Sequence, residues 1–97
     1  MGLEKMEKEI TNLRKKLDKI TGDLIDLFSK RKELVLKMAE LKRKNKLPIL
    51  DRKREKEALE MTKRMAKEKG LNPLLIEKII KLLIEDAKKI QKENSPC

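Results

Sequence analysis

LEKMEKEITNLRKKLDKITGDLIDL, residues 3–27, places an apolar side chain at every third or fourth position: Leu3, Met6, Ile10, Leu13, Leu17, Ile20, Leu24 and Leu27. That is the spacing of a heptad seam on a helix. Gly22 interrupts it with a residue that costs a helix about 1 kcal/mol relative to Ala, but the phase is the same on both sides, so one helix is expected to run through it. Carried onward, the same steps reach positions 31, 34, 38 and 41, where the sequence has Arg31, Leu34, Met38 and Leu41. Three continue the seam and one places a cation on it.

The first helix is expected to stop near Asn45, because Leu47-Pro48 resists helical geometry. Asp51 suits the N-cap of a second helix with Ala58, Met61 and Met65 inward, ended by Gly70 at the C′ position. Asn72-Pro73 reads as N-cap and first residue of a third, whose apolar face includes Ile76, Ile79, Ile80, Leu83, Ile84, Ala87 and Ile90. Residues 93–97 read as a frayed tail. The expectation is thus a single all-α domain over 1–97, with one very long helix and two shorter ones. A helix of about 43 residues is roughly 64 Å long, whereas a compact chain of this size has a radius of gyration of about 12 to 13 Å. The long seam therefore needs cover from a second chain, and an intertwined homodimer follows as the expected assembly.

Composition narrows the chemistry. With 27 Lys and Arg against 17 Asp and Glu, the net charge is +10, which favours anionic partners. Phe28 is the sole aromatic, too few for the stacking platforms that single-stranded nucleic acid requires. There is no His, and Cys97 is the lone cysteine, so neither a zinc constellation nor a His-assisted nucleophile is available. No metal or cofactor is expected. The start of the chain lacks the apolar core of a signal peptide, and no apolar run is long enough to span a bilayer, so the expected location is cytoplasmic. The abundance of Lys and Glu also resembles hyperthermophile composition.

Arg31 on the seam has a plain reading, a packed stem whose guanidinium reaches solvent, and a functional one, an anion site in the bundle. Lys42 follows 11 residues later, within roughly 20° of the same face. Asp51, Arg54 and Glu55 stand at the start of the second helix, either as solvated charges or facing the same pocket. Gln91 puts a neutral amide where the stripe of Ile80, Ile84 and Ala87 calls for an apolar residue. Lys63, by contrast, reads as an exposed lysine of the second helix.

In combination these residues resemble the all-helical class of chorismate mutases in its dimeric bacterial form, from about Glu4 to Lys92. The resemblance is carried by Leu13-Arg14-Lys15-Lys16-Leu17-Asp18, by Lys30-Arg31-Lys32-Glu33-Leu34, by Lys42 and Pro48, by Asp51-Arg52-Lys53-Arg54-Glu55, and by Leu83-Ile84-Glu85-Asp86 with Gln91. It implies the [3,3] rearrangement of chorismate to prephenate in phenylalanine and tyrosine biosynthesis, a unimolecular reaction that needs neither nucleophile nor general base. The resemblance further implies roles for individual residues. Arg31, and Arg14 from the partner subunit, would each grip a substrate carboxylate. Lys42 and Gln91 would bond the ether oxygen, Arg54 would add positive field, and Asp51 and Glu55 would hold the substrate hydroxyl. Ala87 departs from the family pattern, which has a serine there on a carboxylate. Two alternatives stand beside this reading: a lyase of the same fold that releases pyruvate from isochorismate, and a non-enzymatic basic coiled coil whose nucleic-acid binding would depend steeply on salt.

Overall fold

The computed structural model describes residues 2–94 and consists of three helices: α1 (Gly2–Lys44), α2 (Arg52–Glu68) and α3 (Pro73–Glu93). Gly22 lies inside an unbroken α1, as the constant phase of the seam predicts. Glu4 in the first turn and Lys42, Arg43 and Lys44 in the last complement the helix dipole. None of the three helices is long and apolar enough to cross a membrane.

Local chemistry accounts for each boundary. At the end of α1 the Leu47 N–H donates to the Lys42 carbonyl at 2.8 Å and the Lys46 N–H to the Arg43 carbonyl at 3.3 Å. This pair of bonds is a Schellman motif, which needs a left-handed residue at C′. Lys46 supplies it at φ +54° despite its Cβ. The same motif closes α2, with Leu71 N–H on the Ala66 carbonyl at 2.8 Å and Gly70 N–H on the Lys67 carbonyl at 3.1 Å. There the left-handed residue is Gly70, φ +70°. Asp51 caps α2 by accepting from the Arg54 N–H at 3.0 Å, and Asn72 caps α3 by accepting from the Leu74 N–H at 3.0 Å. Glu93 is helical, and Asn94 bonds back to the Ile90 carbonyl through both its N–H and its side-chain amide. Helical order therefore runs further than the expected tail beginning at residue 93; Ser95, Pro96 and Cys97 lie outside the described residues.

The chain packs as two units, Met1–Glu33 and Leu34–Cys97. In the first, the seam of α1 is open: Leu3 is 69% exposed, Leu17 60%, and Met6, Ile10, Leu13, Ile20, Leu24 and Leu27 are exposed as well. In the second, α2 packs on α3 through the short turn at Gly70. Two ion pairs give the register, Glu55 with Lys88 at 2.8 Å and Lys63 with Glu77 at 3.2 Å, so the two helices run antiparallel.

The buried side chains among the described residues are Val35, Ala39, Ala66, Ile90 and Gln91. Two expectations about faces need correction: Ile79, expected on the apolar face of α3, is exposed, and the inner face of α2 is not the expected one. On α2 the withdrawn positions are Ala58, Thr62 and Ala66, in steps of four, whereas Met61 and Met65 are exposed. Small residues allow two helix backbones to approach, and the longer methionines are left on the shoulder. Near the end of α1 the buried stripe is Val35 and Ala39 with Lys42 half-buried; the seam residues Leu34, Met38 and Leu41 remain exposed. Lys63 is half-buried and ion-paired rather than solvated.

Gly22 and Gly70 both have open space where a Cβ would stand, but only Gly70 is left-handed. Gly22→Ala should therefore stabilise the protein by about 1 kcal/mol, through helix propensity alone. Gly70→Ala should destabilise it by about 1 kcal/mol, through backbone strain alone. Denaturant unfolding at one fixed protein concentration checks both signs.

Candidate functional site

Five of the seven candidate residues fall in the second unit, and each is held by its local structure. Lys42 stands in the last turn of α1, half-buried, and its Nζ donates to the Ile49 carbonyl at 3.1 Å. The Schellman turn makes this contact accessible by folding the chain back after Asn45. An ammonium carries three donors, so one tether to Ile49 leaves two N–H groups for another acceptor.

Asp51 spends a side-chain oxygen on capping α2, and its carbonyl accepts from the Glu55 N–H at 3.0 Å. Its carboxylate is thus engaged in structure. Arg54 is exposed in the first turn of α2. Glu55 is half-buried and paired with Lys88.

Gln91 is 4% exposed, the one buried polar residue among those described, and its Oε1 has no hydrogen-bond partner. A buried amide atom without a partner costs roughly 1–3 kcal/mol, so its retention calls for an explanation. The antiparallel register that sets Glu55 against Lys88 brings Gln91, one turn further along α3, level with the start of α2. Gln91 and the Asp51–Glu55 turn therefore belong to the same end of the helix pair.

Arg14 and Arg31 belong to the first unit. Arg14 is exposed and Arg31 half-buried. Both are on α1, 17 residues apart, which amounts to about 25 Å of helix and a difference of about 100° in direction. One small molecule cannot be gripped by both from the same helix.

The sequence reading missed Lys88. Its Nζ lies 2.8 Å from Glu55 and 3.0 Å from Glu85, with a side chain 23% exposed. The Glu55 carboxylate, joined by that of Glu85, holds the Lys88 ammonium above its ordinary pKa. Its position was legible, since it follows Ile84 by four and precedes Gln91 by three on the inner face of α3. Its partner was not, because that depends on the register between two helices.

Comparison with known proteins gives a consistent picture. The family model for chorismate mutase type II matches residues 13–92. A chorismate mutase of Methanocaldococcus jannaschii is 32% identical over 88 residues, covering 91% of this chain and 89% of that protein. A bifunctional chorismate mutase/prephenate dehydratase of Buchnera aphidicola is 36% identical over 85 residues, and a T-protein of Enterobacter agglomerans 34% identical over 82. These cover 88% and 84% of this chain, which spans only 22% of either of the two longer proteins. No solved structure gives a significant match. The match runs from the seam of α1, through the capped start of α2, to one residue beyond the buried amide of α3, and so the chain belongs to the chorismate mutase type II family.

Proposed function

We propose that this protein is a chorismate mutase that converts chorismate to prephenate, working as a homodimer in the biosynthesis of phenylalanine and tyrosine. The observation that carries the reading is Gln91, the one buried polar side chain among the described residues, a neutral amide whose Oε1 has no partner. An amide in that setting is suited to a ligand that brings its own polar groups. Family membership over residues 13–92 supplies the reaction.

The chemistry is internal to the substrate. One ether C–O bond breaks as one C–C bond forms, with no proton, electron or leaving group exchanged with the protein. The protein's task is to hold a dianion in its compact form and to stabilise negative charge on the departing ether oxygen. In this reading Arg31, and Arg14 of the second copy, clamp the carboxylates. Lys42 and Gln91 donate to the ether oxygen, Arg54 raises the local positive field, and Asp51 and Glu55 hold the hydroxyl. Two features support these assignments: the tether on Lys42 leaves two donors free, and Gln91 shares one end of the α2–α3 pair with Asp51, Arg54 and Glu55. Residues 1–97 act as a single domain completed by the second copy, whose cover the exposed α1 seam requires. A cytoplasmic location belongs to the same reading.

Incubation of the purified protein with chorismate should yield prephenate, and incubation with isochorismate should release no pyruvate. Pyruvate release without prephenate formation would replace the mutase by the lyase.

Gln91→Glu discriminates at the level of the donor. An amide donates at any ordinary pH, whereas a carboxyl group donates only when protonated. The variant should keep activity chiefly in acid, and a wild-type pH profile would remove Gln91 from the ether oxygen.

Lys42→Ala should cost on the order of 3 kcal/mol of transition-state stabilisation, or about a hundredfold in kcat/KM. The exposed Lys78 carries the same charge on the outside of α3, and Lys78→Ala should change kcat/KM by less than about twofold. Equal losses would mean a diffuse field rather than a placed donor.

A further inference from the structure

Lys88 and Glu55 form an ion pair unlike the others in the molecule. Among the described residues, most of the ion pairs join residues three or four apart on one helix, and those of Lys19 with Asp23 and Lys44 with Glu40 are largely exposed. Such pairs contribute little. Lys88 and Glu55 come from different helices, stand 2.8 Å apart, and are only 23% and 26% exposed. Lys63 with Glu77 also crosses the hairpin, but near the turn and at 3.2 Å. The Lys88 pair lies at the opposite end, next to the first turn of α2 and one turn before Gln91.

Glu55 presents an electrostatic problem for any dianionic ligand. A half-buried carboxylate repels a substrate that carries two carboxylates of its own, and the repulsion grows as water is displaced. Removing that charge from the field requires a cation fixed against Glu55. Lys88 meets the requirement. Its ammonium lies against Oε1, and a carboxylate has a second oxygen from which to accept a hydroxyl. Glu85 touches the same ammonium at 3.0 Å but is 71% exposed, so it steadies Lys88 without competing for a buried position.

We propose that Lys88 is a positioning residue for substrate recognition: it neutralises and orients the Glu55 carboxylate so that its free oxygen can accept the hydroxyl of a dianionic substrate. The proposal rests on the reading of the site given above. The raised Lys88 pKa keeps the ammonium charged throughout the neutral range.

The test is a double-mutant cycle on kcat/KM for chorismate with Lys88→Met, Glu55→Gln and the combined variant, together with Lys88→Arg as the charge-preserving control. Lys88→Met should lose about tenfold, mainly in KM, because the hydroxyl is held in ground and transition states alike. Lys88→Arg should stay within about threefold of wild type. The double variant should be no worse than Glu55→Gln alone, since Lys88 acts only through that carboxylate. Should Lys88→Met fail to fold, Lys88→Gln carries the same expectations. Losses that multiply would show Lys88 acting directly on the substrate and would overturn the proposal. So would a variant that lowers the unfolding temperature while leaving kcat/KM intact, or one that Arg does not rescue. If Glu55→Gln is impaired and Lys88→Met is not, only this inference fails; a wild-type chain that leaves chorismate intact removes the functional reading as well.

Discussion

The first two-thirds of α1 carries an apolar stripe whose side chains are exposed among the described residues, and most of the account depends on that one imbalance. From Leu3 to Leu27 every third or fourth residue is a Leu, Ile or Met, and all are exposed in the single chain. Moving one such side chain from half-exposed to buried is worth about 1 kcal/mol, so a stripe of this length can offset the entropic cost of association. The core within the chain is correspondingly slight, with Val35, Ala39, Ala66 and Ile90 as its buried apolar members. A second copy is the cover we propose. The same helix also carries Arg14 and Arg31 too far apart to serve one ligand, so pairing of two helices would solve a packing problem and a recognition problem together.

A second constraint is chemical. The chain has no His, and its charged residues are mostly fixed cations, a set suited to catalysis by placement and electrostatic stabilisation. Placement is done by short-range devices. The left-handed Lys46 turns the chain so that Lys42 can reach the Ile49 carbonyl, and the Asp51 cap starts α2 where Arg54 and Glu55 occupy its first turn. The ion pair of Glu55 with Lys88 then ties that turn to the stretch of α3 that bears Gln91. Each device is modest in energy. Together they bring five candidate residues into one packing unit.

How much of this could be read from sequence follows from the range of the interactions. The stops at Asn45 and Gly70 and the caps at Asp51 and Asn72 depend on residues within a few positions, and all were legible. The seam was legible too, because it is a property of spacing, and the family was legible as a resemblance carried by several short motifs. What failed were the properties of one helix against another. Met61 and Met65 look like inward residues by apolarity, yet the withdrawn face is the stripe of Ala58, Thr62 and Ala66. Lys63 and Lys88 look like solvated charges until the hairpin register sets them against Glu77 and Glu55. The end of α1 has two stripes, an exposed one at Leu34, Met38 and Leu41 that continues the seam and a buried one at Val35 and Ala39 that periodicity did not single out.

The central claim is that one active site is made by two chains, with Arg14 of one acting beside Arg31 of the other. It is tested most directly by mixing two inactive variants. Arg14→Ala and Arg31→Ala homodimers should each be nearly inactive, since every site lacks one carboxylate clamp. Unfolding and refolding them together would pair chains at random, so about half the dimers would be mixed and each would hold one intact site. The account predicts that activity returns to roughly a quarter of the wild-type level. Heterodimers that form and remain inactive would contradict it.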